Sequence, residues 1–248
     1  MRHFYNKKKA LLPFPIIILC DIIIFMSREE TIFGDDWPYS KAKTALLRAA
    51  ALVMREDGPR SATLKNIAGK AGVTEPAIFR HFDGVEGVFL SLFNVVELYH
   101  GHFDGLYDSA ELVGIDRLEA AYMEILETLK DNADFSYILV QPDPIFRQYP
   151  KLKQRLAELR MRDKASVMDC IKEARLKKQL LPTTDVETFS MSLVGATMIL
   201  LQTWTNNVDA FDLVKEGKKL WNNLKAMAVD PNAAPASKSK PKTAKKKA

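Results

Sequence analysis

Residues 63–82 read TLKNIAGKAGVTEPAIFRHF, and this stretch decides the fold. Thr63 is a residue type that caps helix N-termini, and the apolar residues after it recur with helical spacing. These apolar residues are Leu64, Ile67, Ala68 and Ala71. Gly72 follows at once and suits the left-handed backbone conformation that ends many helices. The first half of the stretch therefore predicts a short helix that ends in a tight turn.

The second half of the stretch predicts another short helix. Thr74 is placed to cap it, and Pro76 falls in its first turn, where a missing N–H group costs little. Ile78 and Phe82 give this helix one apolar side, which leaves its other side for a partner. Two short helices joined by a tight turn are typical of a helix-turn-helix motif, whose second helix enters the DNA major groove. On geometry alone, a helix corner inside any helical protein remains the alternative.

The stretch resembles the DNA-binding signature of TetR-type transcriptional regulators. It matches without a gap, ends in the Arg-His-Phe triplet of residues 80–82, and the similarity extends over residues 41–90. The resemblance implies an all-α homodimer with a three-helix DNA-binding domain at residues 40–84 and a ligand-binding and dimerisation domain at residues 85–228. It also implies a repressor that binds a palindromic operator in double-stranded DNA and is released by a small hydrophobic effector.

The resemblance and the side-chain chemistry together give nine candidate DNA contacts. They are Thr63, Lys65, Thr74, Glu75, Pro76, Ala77, Phe79, Arg80 and His81. Residues 74–77 are expected at base edges, and Thr63 and His81 near the phosphate backbone. Phe79 stands where the family usually has a phosphate-binding Tyr, and Val85 where it usually has a phosphate-binding Lys. The chain therefore lacks two of the usual phosphate contacts.

Several of these side chains have a chemistry that suits base recognition. Arg80 can donate to a guanine edge or to a phosphate, and Glu75 can accept from cytosine N4. A carboxylate at the start of a helix also stabilises the helix dipole, which is the alternative role for Glu75. Phe79 and Ala77 can touch a thymine methyl group, with partial core packing as the alternative for Phe79.

Residues 84–228 carry further amphipathic patterns with helical period. An Asp83-Gly84-Val85-Glu86 sequence predicts a capping box with Asp83 as the cap. The patterns predict helices at residues 117–129, 152–174, 186–204 and 209–225. These segments are long enough to form one larger helical domain.

Aromatic, Met and Cys residues in these helices are candidates for lining a ligand pocket. They are Phe103, Tyr107, Tyr122, Met123, Tyr137, Met161, Met168 and Cys170. Ordinary core packing is the alternative for every one of them, because such residues are commonly buried.

Residues 186–204 are apolar on almost all faces, which indicates burial on more than one side. The resemblance makes this helix and the one after it the dimer interface, a four-helix bundle about a twofold axis. The candidate interface residues are Phe189, Val194, Met198, Leu201, Leu213, Leu220 and Leu224. Gly195 and Ala196 would permit close approach of the helices.

The net charge of +5 comes from the two ends of the chain. Residues 229–248 contain six Lys among Pro, Ala, Ser and Thr, so we expect a disordered tail that solubilises the protein or binds DNA phosphates. Residues 1–39 form an N-terminal extension with an apolar segment that two prolines and Asp21 interrupt. We favour translation from Met26, with a membrane anchor or a simple extension as alternatives.

Enzyme activity finds no support in the sequence. It has no Gly-rich phosphate loop, no metal-binding His-Glu helix motif and no nucleophile elbow, and it calls for no cofactor. His100 and His102 are two residues apart and so do not share a helix face, which argues against a metal site. Two cysteines, Cys20 and Cys170, exclude a disulfide framework and favour a reducing compartment, the cytoplasm.

Two other functions compete with a ligand-controlled repressor. A non-specific, nucleoid-type DNA-binding protein of the same fold would use the Lys-rich tail and have no effector. A membrane-associated helical sensor or adaptor would use residues 1–26 as an anchor. A membrane is not expected as a partner if translation starts at Met26.

Overall fold

The computed structural model describes residues 32–33, 36–108, 111–146 and 149–233. These residues form ten α-helices and one short 3-10 helix, with no strand among them beyond a single antiparallel bridge between Leu180 and Val229. The all-α prediction is confirmed. The predictions for the apolar N-terminal segment, the start at Met26, Cys20 and the Lys-rich tail lie outside the described residues.

The helices are numbered here in chain order. They are α1 (Lys41–Asp57), α2 (Leu64–Ala71), α3 (Glu75–Ile78), α4 (Gly84–Leu106), α5 (Gly114–Asp131), α6 (Ala133–Val140), α7 (Asp143–Phe146), α8 (Pro150–Leu176), α9 (Val186–Asn206) and α10 (Leu213–Ala228). The 3-10 helix, Pro59–Ser61, lies between α1 and α2.

The chain divides into two compact units, residues 1–46 and residues 47–248. In the first unit, the Trp37 indole N–H donates to the Thr44 hydroxyl at 2.9 Å. The Trp37 ring also lies 5.5 Å from the rings of Phe33 and Tyr39, so an aromatic group packs just ahead of α1. The predicted domain boundary at residues 84–85 stays a prediction, because the second unit contains the residues on both sides of it. Residues 40–84, the predicted DNA-binding domain, are called the head below, and residues 85–228 are called the body.

Most of the second unit is built around one helical core. Helix α5 packs against α8 and α10, and α9 packs against α6, α8 and α10. The largest side chains of this core are completely or almost completely buried: Phe93, Tyr99, Phe135, Phe146 and Trp221. Burial of such side chains stabilises a fold by about 1.5–3 kcal/mol each, so this core is the main source of stability of the unit.

Two arginines join the C-terminal part of α1 to the start of α6. Arg48 donates from Nη1 to the Asp134 carboxylate at 3.2 Å, and its guanidinium lies 4.9 Å from the centre of the Phe135 ring. Arg55 donates to the Ala133 carbonyl at 3.1 Å. Because the Arg48 side chain is only 7% exposed, its ion pair lies in a partly dry environment, where it counts for more than a surface pair.

Replacing Asp134 by Asn is expected to lower the free energy of unfolding by about 2 kcal/mol, because it removes the carboxylate charge that pairs with the buried Arg48 guanidinium. The same replacement at Asp169 provides the control, since Asp169 is 76% exposed in its pair with Lys172. That change should alter stability by less than about 0.5 kcal/mol. Urea unfolding of both variants measures the difference, and equal effects would contradict the importance of the buried pair.

Candidate nucleic-acid interface

Helix α2 begins where the sequence predicts it. The Thr63 hydroxyl accepts a hydrogen bond from the Asn66 backbone N–H at 3.2 Å, which confirms Thr63 as the N-cap. The Asn66 side chain donates in turn to the Ser61 carbonyl at 2.8 Å and so fixes the chain that enters the helix. Ile67 and Ala68 are buried on the inner side of α2.

The turn between α2 and α3 also forms as predicted. Gly72 adopts a left-handed conformation with φ +68°, which a residue with a Cβ atom rarely adopts. The Val73 N–H then donates to the Ala68 carbonyl at 3.0 Å, which closes the end of α2. This tight turn sets the direction of α3 relative to α2.

Helix α3 is shorter than predicted, and two predicted N-caps are confirmed in position but not in their side-chain hydrogen bonds. Only Glu75–Ile78 are helical, and the chain then continues as a turn in which His81 and Phe82 donate backbone N–H groups to the Ile78 carbonyl at 2.9 and 3.0 Å. Thr74 and Asp83 occupy cap positions, but neither side chain makes a capping hydrogen bond. Thr74 therefore keeps its hydroxyl available for another partner, and the predicted capping box at Asp83 does not form.

The predicted DNA contacts lie together on the surface of this motif. Seven of the nine are exposed: Thr63, Lys65, Thr74, Glu75, Pro76, Phe79 and Arg80. Ala77 and His81 are half-buried. Phe79 is 60% exposed, which argues against core packing and leaves its ring available to a partner.

The basic side chains of this surface differ in their partners. Lys70 forms an ion pair with the Glu56 carboxylate, so its charge already has a partner within the chain. Within the described ranges, neither Lys65 nor Arg80 forms an ion pair. These two charges are therefore ready to meet phosphate or base edges.

The eight candidate ligand contacts do not line one common cavity in the described part of the chain. Phe103, Tyr122, Tyr137 and Cys170 are buried, Tyr107, Met123 and Met168 are half-buried, and Met161 is exposed. Met161 is 69% exposed and lines an open surface groove on α8, and its part in ligand binding stays a prediction. Met161 lies on a solvent-facing side of the long helix α8, away from the core.

Two of the buried candidates lie in separate parts of the body. The Tyr122 hydroxyl donates to the Gly217 carbonyl at 3.0 Å, and its ring lies 5.3 Å from that of Trp221. Burial raises the pKa of the Tyr122 hydroxyl, so it stays protonated. Cys170 faces Tyr107 instead, and burial raises the pKa of its thiol to about 11, which makes it an unreactive core residue.

The predicted dimer residues divide into core and surface. Phe189, Leu201 and Leu213 are buried inside the chain itself, and their part in a dimer interface stays a prediction. The other four, Val194, Met198, Leu220 and Leu224, are half-buried.

The exposed apolar residues on α9 and α10 were missed by the sequence analysis. Met191 and Ile199 on α9 are 65% and 68% exposed, and Met227 on α10 is 76% exposed. Met191, Gly195 and Ile199 follow one another at intervals of four residues, so they lie on one face of α9. That spacing was visible in the sequence, but periodicity does not tell which side of an apolar helix faces its own core.

A further group that sequence spacing did not reveal joins α4 to α8. His100 Nδ1 lies 2.9 Å from the Asp163 carboxylate, although the two residues are 63 positions apart. His102 is half-buried, and burial lowers its pKa while the charge of Glu124 raises it. Among the described residues, no group of three or more His, Cys, Asp or Glu side chains is placed to hold a metal ion.

One helix among the described residues, α9, has the length and apolar composition of a membrane span. Only 22% of its most apolar window is buried within the chain. The unburied part of this helix includes the face formed by Met191, Gly195 and Ile199.

Comparison with known families agrees with the resemblance drawn from residues 63–82. Residues 46–92 match the sequence profile described as bacterial regulatory proteins of the tetR family. The matched segment contains α2, the turn, α3 and the first part of α4. A curated relative similar to this chain is the HTH-type transcriptional repressor BepR of Brucella suis biovar 1. It is 25% identical over 188 residues, which cover 73% of this chain and 88% of BepR.

Solved structures show that the fold is shared. The ketosteroid transcriptional regulator KstR2 of Mycobacterium tuberculosis superposes with a TM-score of 0.62 and 14% identity, covering 76% of this chain and 95% of KstR2. SmeT of Stenotrophomonas maltophilia, the repressor of the multidrug efflux pump SmeDEF, was solved in complex with triclosan. That complex superposes with a TM-score of 0.59 and 18% identity, covering 82% of this chain and 99% of SmeT.

Proposed function

We propose that this chain, a TetR-like transcriptional repressor, occupies a palindromic operator as a homodimer and leaves it when a small hydrophobic ligand binds to the body. The observation that carries the proposal is the surface around α3. There three of the four predicted base contacts, residues 74–76, are exposed, and the match to the regulator family covers the same residues.

DNA binding follows from the chemistry of that surface. Arg80 and Lys65 present positive charges that form no ion pair with any described residue, while the exposed Phe79 ring and the methyl group of Ala77 offer apolar contacts to thymine. Because α2 is capped and closed by Gly72, the motif is held in a fixed shape before DNA arrives. A preformed surface of this kind loses little conformational freedom on binding, which favours affinity.

A homodimer follows from the exposed apolar face of α9 and α10. Covering a side chain such as Met191 or Ile199 is favourable, and no described residue of this chain covers that face. Apart from the local backbone of α9, no atom of the described residues lies within 4 Å of the position a Cβ would take at Gly195, which leaves room for a second helix to approach. A twofold axis through this face would bring two heads to one palindrome.

The expected effector of this chain is a small hydrophobic molecule. SmeT, whose fold is similar, was solved with triclosan, an apolar aromatic compound. In this chain the aromatic candidates Phe103, Tyr122 and Tyr137 are buried in the core, so a ligand of similar character would open its site by displacing core side chains. Release of a fluorescent operator by a panel of hydrophobic compounds, beginning with triclosan, tests this part.

Selection of DNA from a random pool by the full chain, at about 150 mM salt, tests the function itself. We expect an inverted repeat whose half-site centres are about 34–36 Å apart along the duplex. Recovery of DNA without a shared motif would favour the nucleoid-type alternative and overturn the proposal. The matched relatives are regulators rather than enzymes, and neither competing function is favoured. A regulator of chromosomal genes would act in the cytoplasm.

Replacing Arg80 by Ala is expected to weaken binding to the selected operator about 10-fold or more, because it removes a charged donor from the recognition surface. If Arg80 reads guanine, the variant also loses its preference at one position of each half-site. The Lys164→Ala variant removes one exposed charge from α8 and serves as the control. Fluorescence anisotropy titrations measure both, and equal affinities of the two variants would contradict a role for Arg80.

A further inference from the structure

A groove of about 600 Å³ lies beside the recognition surface, where the head meets the body. Its walls come from the 3-10 helix, the start of α2, Glu75 at the start of α3, and two residues of α4, Val85 and Phe89. Tyr149, which directly precedes α8, completes the wall from the side of the body. The groove therefore brings a body residue next to residues of the DNA-binding head.

Four polar side chains give this groove the character of a phosphate site. Arg60 and Lys65 are exposed and form no ion pair in the part of the chain that the structure describes. The Thr63 oxygen accepts the capping hydrogen bond from Asn66, so its O–H proton remains available to donate. Two cations and neutral O–H donors are the groups that bind DNA phosphate oxygens.

The fourth side chain, Tyr149, is held in place by the body. Its ring lies 5.7 Å from that of Phe89, which fixes the ring against α4. Burial raises the pKa of the Tyr149 hydroxyl, and the charge of Glu86 raises it further, so the group stays protonated and able to donate. The carboxylates of Glu75 and Glu86 oppose an anion here, and the two cations offset them.

The groove also lies where a DNA strand would pass. In a helix-turn-helix complex the first helix crosses the phosphate backbone while the second lies in the major groove. Here the groove opens at the N-terminus of that first helix, α2, and borders Glu75, the first residue of the second. A phosphate at the edge of the major groove would meet Thr63 and Lys65 and would have Arg60 and Tyr149 beside it.

We propose that Arg60 and Tyr149, together with Thr63 and Lys65, bind one backbone phosphate of each operator half-site in this groove. The inference rests on the proposed function and deepens it, because it gives the body a direct contact with DNA. Since Tyr149 adjoins α8, a movement of α8 on ligand binding would displace this contact and lower DNA affinity without any change in the recognition helix.

The test uses the selected operator with single phosphates replaced by neutral methylphosphonates, one position at a time. One replacement should weaken binding of the wild-type chain, and it should weaken binding of the Arg60→Ala variant less, because that variant has already lost one of the two cations at this phosphate. The slope of log affinity against log salt should also become shallower by about 0.9 in Arg60→Ala. The control variant Lys177→Ala, which removes an exposed charge beyond the end of α8, should keep the wild-type slope.

Tyr149→Phe isolates the hydroxyl, because it keeps the ring that packs on Phe89. It should weaken binding about fivefold, with an unchanged salt slope, since a neutral hydrogen bond is lost. This loss should vanish on DNA that carries the methylphosphonate found with Arg60→Ala. The Tyr99→Phe variant makes the same change at a fully buried core residue outside the groove and should bind as wild type.

The outcomes separate this inference from the function on which it rests. If the wild-type chain selects no inverted repeat, the proposed function itself fails. If it selects one, but Tyr149→Phe binds as wild type and Arg60→Ala keeps the wild-type salt slope, the phosphate groove alone is overturned. Unchanged thermal unfolding of both variants confirms that the comparison concerns binding and not folding.

Discussion

Replacing Gly114 by Ala is expected to lower the free energy of unfolding by about 3 kcal/mol. Gly114 begins α5 with φ +56°, a left-handed conformation that residues with a Cβ atom rarely adopt. A Cβ built there would lie 2.0 Å from the Gln179 Oε1 atom and 2.9 Å from the Ala174 Cα atom. The substitution thus combines backbone strain with a steric clash.

The residues around Gly114 cannot easily move to make room for a Cβ atom. Gln179 is 4% exposed, and its Oε1 atom already accepts the Ile115 N–H at 3.1 Å. The Gly114 N–H donates to the Glu173 carboxylate at 2.9 Å, which ties the start of α5 to α8. A shift that relieves the clash would therefore strain the buried Ile115–Gln179 hydrogen bond or the Gly114–Glu173 hydrogen bond that joins α5 to α8.

The Gly101→Ala variant provides the matched control. Gly101 lies in the interior of α4, is exposed, and has no heavy atom within 4 Å of the Cβ position. Alanine there should stabilise the protein by about 0.5–1 kcal/mol, because it favours the helix more than glycine does. Urea unfolding at one protein concentration compares the two, and a Gly114→Ala variant as stable as wild type would show that α5 tolerates a different start.

Sequence patterns located most of the helices because local signals mark their ends. The helix predicted at residues 186–204 is observed at Val186–Asn206, and the Asp185 carboxylate caps it by accepting the Thr188 N–H at 2.8 Å. The last helix was placed four residues too early, at residue 209 instead of Leu213. Asp212 is its actual cap, accepting from Lys215 at 3.0 Å, and periodicity alone did not distinguish Asp209 from Asp212 as the start.

The head was more predictable than the body for a physical reason. Its function depends on a short contiguous segment, in which a cap, a glycine turn and exposed side chains all lie within residues 63–82. Even there the length of α3 was wrong, because Phe79 and Arg80 continue the chain as a turn rather than as helix. The assignment of those side chains to bases and phosphates stays a prediction.

Long-range pairing in the body was beyond the sequence patterns. Nothing in the local period connects His100 with Asp163 or Arg48 with Asp134, because each pair joins different helices. The same limit affected the dimer prediction. An apolar helix such as α9 buries one side in its own chain and exposes another. Only the packing of the helices shows that Leu201 lies on the buried side and Ile199 on the exposed side.

Replacing Ile199 by Glu is expected to abolish the dimer and to weaken operator binding about 100-fold or more. Ile199 lies at one end of the exposed row that begins with Met191 and passes Gly195. In a dimer this row would be covered, and a carboxylate there would be buried without a counter-charge. A monomer engages only one half-site and loses the effective-concentration advantage of two linked heads, which is worth about 10²–10⁴-fold.

The Met161→Glu variant distinguishes an interface effect from a surface effect. Met161 is 69% exposed, close to the 68% of Ile199, but lies on α8 and outside the proposed interface. It should leave both the molecular mass in solution and operator affinity at wild-type values. Light scattering and anisotropy titration measure these quantities. An Ile199→Glu chain that still has the mass of two copies would place the twofold axis elsewhere, and the exposed face of α9 would then need another partner.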